Sequence, residues 1–219
     1  MRAPAPEVVA LDVAEAPEAW AGAGFAVDDD GTCRLGGVRV RLVGPDAGEA
    51  VVGWALRHLP DDGPADLDGF ATRATGEPPC APATHPNGVT HIDHLVLLTD
   101  DLERTVAAAV GVGLDERRRR DHVGPGGDPV VQAFFVVGGL VLEVVGPAGA
   151  PPSPRPGVRS FGLALVAPDL AASAEVLGER LSPVREAVQA GRSIASIRHR
   201  DLGLRTPLAL MSPRPGARD

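Results

Sequence analysis

His94 and Glu143 are the side chains of this sequence best suited to chemistry. A neutral imidazole suits zinc, nickel or iron, and a carboxylate suits most divalent ions. Both lie in short apolar runs, His94 within residues 91–98 and Glu143 within residues 140–145. Strand alternation puts Glu143 on one face with Val141 and Val145, so a buried carboxylate there needs a cation or a hydrogen-bond donor. His94 can be that donor. Two readings follow: a divalent metal held by His94 and Glu143, or a His–Glu pair inside a metal-free cavity.

Other side chains bear on the same cavity. Gln132 and Phe134 share one face of a strand and offer a pocket an apolar wall and one orienting amide, with plain core packing as the alternative. In the run Arg117 to Arg120, alternate residues point to opposite faces, so two of the four arginines face any cavity and can pair with an anion. His91, three residues before His94, is expected on the opposite face and near the surface. His199 and Asp201 sit at an arginine-flanked strand end that reads as a solvated face, and His85 reads as a turn residue. No Gly-x-Ser-x-Gly elbow, Walker loop or Rossmann fingerprint competes, and the chain has no Tyr. Cys33 and Cys80 belong to no Cys-x-x-Cys or Cys/His ligand pattern, which favours a reduced protein.

The elements that must position these residues are legible around them. Residues 91–98 predict a strand, Thr99 or Asp100 an N-cap, and residues 101–110 a helix that ends at Gly111 and Gly113. Strands over 114–120, 130–137 and 140–145 follow, the last two joined by Gly138-Gly139. The order returns downstream: a strand over 160–166, a helix opened by Asp169, then strands near 184–188, 193–199 and 208–212. A shorter echo occupies the first third, where residues 36–45 match 138–147 and residues 52–56 match 161–165.

With 44% hydrophobic and 23% charged residues, the 219-residue chain has ample material for a core. Its net charge of -8 and few aromatics argue against a nucleic-acid partner. No apolar run approaches the ~20 residues of a bilayer span, so a cytoplasmic protein with no membrane partner is expected. All fixed cations are Arg and none is Lys, a bias typical of GC-rich bacterial coding.

Residues 88–102, with Gln132 to Phe135 and Leu140 to Pro147, resemble the vicinal oxygen chelate superfamily of glyoxalase I, bleomycin-resistance proteins and extradiol dioxygenases. The resemblance implies an α+β fold of paired βαβββ modules, the glyoxalase-like fold, whose curved mixed sheet encloses a small-molecule cavity. It divides the chain into a truncated copy (1–60), a Pro/Gly-rich linker (61–87), a complete domain (88–213, modules at about 90–147 and 159–212) and a disordered tail (214–219). It puts His94 and Glu143 at the first module's metal-ligand positions, with zinc, nickel, manganese or iron as the ion, or none. Glu143 doubles as a catalytic base, and Gln132 and Phe134 touch the substrate. In the second module Gly162 and Ala209 stand where the remaining ligands belong, and Arg41 falls opposite Glu143 in the truncated copy. The implied function is metal-dependent isomerase or lyase chemistry on a small oxygen-bearing metabolite, or, alternatively, metal-free sequestration of a small molecule. The truncated copy leaves a sheet edge to be covered, within its own chain or across a homodimer.

Overall fold

The computed structural model describes residues 4–60, 66–124, 126–149, 153 and 157–216. The first part of the chain runs β1 (Glu7–Val13), α1 (Pro17–Gly22), β2 (Thr32–Leu35), β3 (Val38–Leu42), β4 (Val51–Arg57), β5 (Asp66–Leu67) and β6 (Phe70–Ala74). The second runs β7 (His91–Thr99), α2 (Leu102–Gly111), β8 (Glu116–Val123), β9 (Pro129–Val137), β10 (Leu140–Pro147), β11 (Val158–Val166), α3 (Leu170–Leu177), β12 (Arg185–Glu186), β13 (Ser193–Ser196) and β14 (Leu208–Met211). The two expected βαβββ modules are β7 to β10 and β11 to β14.

These fourteen strands build two mixed sheets among the described residues. The larger has the order β12-β13-β14-β11-β7-β10-β9-β8. Each module closes by a parallel pair, β7 with β10 and β11 with β14, and the modules meet at the antiparallel pair β7/β11. In that pair Leu95 opposes Leu163, His94 opposes Ala164, and Val96 opposes Gly162. A local twofold through Leu95 and Leu163 therefore exchanges His94 with Gly162 and Val96 with Ala164. The partner of Val96 on β10 is Glu143, and the partner of Ala164 on β14 is Ala209. Glu143 and Ala209 are thus also equivalent.

Local chemistry accounts for the element ends. The Asp101 carboxylate accepts the Arg104 N–H and caps α2, one residue later than the sequence suggested, and Asp169 caps α3 through the N–H groups of Ala171 and Ala172. Leu102, Thr105, Val106 and Ala109 give α2 one buried face against the convex side of the sheet, where Leu95, Leu97, Phe135, Leu142 and Leu165 pack. The opposite, concave side of the larger sheet carries His94, Glu143, Gln132 and Phe134.

The smaller sheet has the order β2-β3-β1-β4-β6-β5. It repeats the larger sheet with its two outermost strands removed. β1/β3 and β4/β6 are parallel and β1/β4 antiparallel, as in the matching strands of the larger sheet. The copy therefore pairs within its own chain. It also extends past residue 60, because β5 and β6 lie inside the segment expected to be a linker. They form a hairpin across Asp68 (φ 52°) and Gly69 (φ 85°), both left-handed as a two-residue turn requires. Of that linker, residues 61–65 lie outside the described residues, as do 217–219 of the expected tail.

What remains of the linker covers an edge. Cys80 and Ala83 donate N–H groups to the carbonyls of Gly37 and Arg34, and Arg39 donates to the Pro78 carbonyl. Pro78, Pro79 and Pro82 limit this contact to isolated bonds rather than a further strand. His85 ties the segment down: Nδ1 accepts the Ala26 N–H at 3.0 Å and Nε2 donates to the Arg34 carbonyl at 3.1 Å. Burial lowers its pKa below the ordinary 6.5, which suits a neutral ring between two backbone groups.

Candidate small-molecule site on the concave face

Three β-bulges decide which side chains reach the concave face. Asp93 is an extra residue of β7 against β11, and Phe161, its mate under the local twofold, is an extra residue of β11 against β7. Arg117 is the third, between the pairs Glu116–Phe135 and Arg118–Phe134. A bulge puts two successive side chains on the same side of a sheet. Asp93 consequently stands beside His94, with Oδ2 2.9 Å from Nδ1. The simple alternation that separated His91 from His94 fails here for the same reason. His91 lies with Asp93 at the rim of a shared cavity, exposed and bonded through Nδ1 to the Thr90 hydroxyl.

From Asp93 a file of polar side chains crosses the sheet. Arg192, buried just before β13, donates to the Gln189 amide oxygen and the Ser212 carbonyl and pairs with Asp93 Oδ1 at 2.9 Å. Arg214 approaches the same oxygen at 3.7 Å, so this part of the expected tail belongs to the site. Burial pushes the Asp93 pKa up, but the His94 hydrogen bond and the charges of Arg192 and Arg214 outweigh it and hold the carboxyl at about 2. An ionised Asp93 assigns the His94 proton to Nδ1 and turns Nε2 toward Glu143, whose Oε2 is 3.8 Å away. The other Glu143 oxygen accepts a short hydrogen bond from Gln132 Nε2. Gln132 Oε1 in turn accepts from Arg120 Nε at 2.8 Å and Nη2 at 2.5 Å.

Phe134 forms the apolar wall of this half, with the Arg118 guanidinium 4.6 Å and that of Arg120 5.6 Å from its ring centroid. Arg119 points to the other side and is held by Glu103 and Glu116. A cavity of about 500 Å³ is bounded here by Arg117, Arg118, Arg120, Phe134, Glu143 and Arg214. His94 also lines a second cavity of about 390 Å³, bounded by Val96, Phe161, Ala164, Ile194, His199 and Ala209. The two form one trough along the concave face, with His94 at its midpoint. His199 comes from a short 3-10 turn rather than a strand, and Asp201 of that turn lies away from the trough.

The structure thus brings together His94, Glu143, Gln132 and Phe134. It adds Asp93, Arg192 and Arg214, which alternation alone did not single out, and the bulge at Arg117 brings three arginines of the expected run to the cavity rather than two. The far half of the trough offers no metal donor at the equivalent positions. A Cβ built on Gly162 would lie 2.2 Å from the Pro207 carbonyl oxygen, a backbone atom fixed by its hydrogen bond from Leu163 N–H. No side chain fits there. The smaller sheet shows the same closure, with a Cβ on Gly53 2.9 Å from the Ala71 carbonyl oxygen. Its other equivalent positions hold Ala10, Arg41 and Arg73, and both arginines pair with Asp12 at 2.7 Å. Among the described residues no three His, Cys, Asp or Glu side chains are grouped to hold a metal ion. Two donors on one side, four arginines around them and a sealed position opposite do not fit a resident divalent metal, whose catalytic sites use three protein ligands.

No family model and no curated protein matches the sequence. Similar solved structures span nearly the whole chain. A variant of 4-hydroxymandelate synthase from Streptomyces coelicolor aligns with a TM-score of 0.59 and 14% identity, covering 99% of this chain and 94% of the other. A catechol 2,3-dioxygenase gives 0.56 and 13%, covering 97% and 95%. A fusion of a xylose isomerase-like TIM barrel with 4-hydroxyphenylpyruvate dioxygenase gives 0.62 and 13%, with 100% of this chain covering 51% of the longer one. At these identities the likeness speaks for fold. Paired modules, parallel closing strands, twofold-related bulges and two successive sheets of one design together give this chain the fold of the vicinal oxygen chelate superfamily.

Proposed function

We propose that this chain is a small-molecule-binding protein that holds its ligand in the C-terminal trough without a resident metal. The observation that carries the reading is Gly162. The position equivalent to His94 is closed by the Pro207 carbonyl, so the far half of the trough is shaped for an apolar group rather than for an ion. In this reading Glu143 anchors rather than catalyses: one oxygen fixes Gln132 and the other faces His94. Phe134 serves as a ligand contact, as the sequence suggested, whereas Gln132, its amide held between Arg120 and Glu143, positions those two, and His94 presents Nε2 to whatever lies over it. Ligand sequestration or carriage, the logic of bleomycin-resistance proteins, follows from shape and a few polar contacts.

One observation favours the second reading, a metal-assisted isomerase or lyase. Asp93 orients His94 through Nδ1, as carboxylates behind metal-bound histidines do, and Nε2 faces Glu143 Oε2 across 3.8 Å. Thermal unfolding separates the two. The binding-protein reading expects the same unfolding temperature before and after EDTA dialysis and on adding zinc, manganese, nickel or iron(II). A chelator-induced fall, restored by one of these ions and absent in His94→Ala, would overturn it.

A further inference from the structure

We infer that the trough takes an amphipathic organic oxyanion, its carboxylate or phosphate held by Arg118 and Arg120 and its apolar body lying past His94 over Ala164 and Ala209 against Phe161. This deepens the metal-free reading and rests on it.

The anionic end is assigned by four arginines gathered around one cavity of an acidic chain. Arg34, Arg41, Arg57, Arg73, Arg104, Arg119 and Arg192 each pair with an Asp or Glu. Among the described residues Arg118 has no such partner and stacks on Phe134 instead. Arg120 spends its fork on the neutral Gln132 oxygen rather than on a carboxylate. Arg117 and Arg214 line the same cavity. Of its two carboxylates, Asp93 is neutralised by Arg192 and held by His94, and Glu143 is capped by Gln132. The excess is positive although the chain carries -8 overall. Two guanidinium groups on one strand face match the paired oxygens of a carboxylate or phosphate.

The apolar end is assigned by the far half. The bulge turns Phe161 out of the core and into the trough, where it remains 49% exposed, in a chain with only five Phe. Val96, Ile194, Ala164 and Ala209 continue that surface, and small residues at the floor leave room above it. Water over such a floor is displaced favourably by hydrocarbon, in proportion to the apolar area covered. Arg185 and His199 close the far rim.

The test is displacement of the fluorescent dye anilinonaphthalene sulfonate, itself an aromatic oxyanion, from the full chain. Competitors are decanoate, decyl phosphate, decanol and inorganic phosphate. Decanoate or decyl phosphate should displace the dye at about tenfold or more lower concentration than either single-feature competitor, and the better of the two identifies the oxyanion. Arg118→Gln with Arg120→Gln should weaken that competitor about tenfold, and Ala209→Phe should do so by filling the floor, while Arg119→Gln leaves it unchanged. The two arginine changes lie at a solvated strand edge and keep the test open should Ala209→Phe fail to fold. Equal competition by decanol, equal competition by inorganic phosphate, or an unaltered double arginine variant would overturn the proposal. Metal-free protein that binds none of the four sinks the ligand class alone, whereas a chelator-sensitive unfolding temperature sinks the metal-free reading beneath it.

Discussion

Asp93 holds the site together at the scale of single residues. It orients His94, and it neutralises an arginine whose side chain is 1% exposed. Asp93→Asn should therefore cost about 3–5 kcal/mol in denaturant unfolding at neutral pH, because Arg192 would be left charged and unpaired in the interior. Linkage adds a second expectation. Its folded pKa of about 2 lies below the ordinary 3.8, so the stabilisation is complete above pH 3.8 and is lost as pH falls through about 2. The loss should be about 2 kcal/mol and absent from the Asn variant, read from unfolding at a series of acid pH values. His85 works in the same direction at higher pH. Its lowered pKa makes the neutral ring's contribution complete above the ordinary 6.5 and weaker as pH falls below it. His85→Gln should flatten that slope. The sequence disclosed His94 and Glu143 through residue type and strand parity, and Gln132 with Phe134 through their shared face. It did not disclose Asp93 or Arg192, because partnership across a bulge leaves no mark in the alternation.

Bulges and close approaches govern the element scale. The twofold-related bulges at Asp93 and Phe161 put a charged pair on one side of the twofold and an apolar ring on the other, from one strand geometry used twice. Gly162 then decides what the second module can hold. Gly162→Ala should destabilise the fold by about 1–3 kcal/mol in denaturant unfolding, since its methyl would meet a backbone carbonyl that cannot move without opening β14. A neutral result would show that β14 yields, and would remove the argument that the position is sealed. Most elements were legible here: both complete modules, the Asp169 cap of α3 and the glycine turn between β9 and β10. The β5/β6 hairpin was missed in spite of its Asp68-Gly69 turn signal. Its strands span only two and five residues and sit in a run dominated by Pro, Gly and Asp.

At the scale of the whole molecule, the two sheets are one design at two degrees of completeness, joined by one continuous apolar core and by a small number of buried polar contacts. The Glu15 carboxylate, 1% exposed, accepts the N–H groups of Arg205 and Thr206 at 2.7 and 2.6 Å, just ahead of β14. Asp68 from the β5/β6 turn accepts from Arg104 and Thr105 of α2; burial raises its pKa, but these bonds outweigh it and hold it below the ordinary carboxylate value. Glu15→Ala should lower stability by about 1–3 kcal/mol for each orphaned N–H, and Glu15→Gln, which keeps an acceptor, by less. The internal repeat was readable from residues 36–45 and 52–56, but its true extent appears only in the sheet order. Among the described residues that order shows a copy without the two outer strands or a second helix, its proline-rich successor laid along the exposed edge. The central claim is that the complete sheet's trough is a metal-free binding site, and elemental analysis of untagged purified protein tests it most directly. The account predicts zinc, nickel, manganese and iron all far below one ion per chain, with His94→Ala and Glu143→Ala no different. Near-stoichiometric metal, lost in both variants, would contradict it.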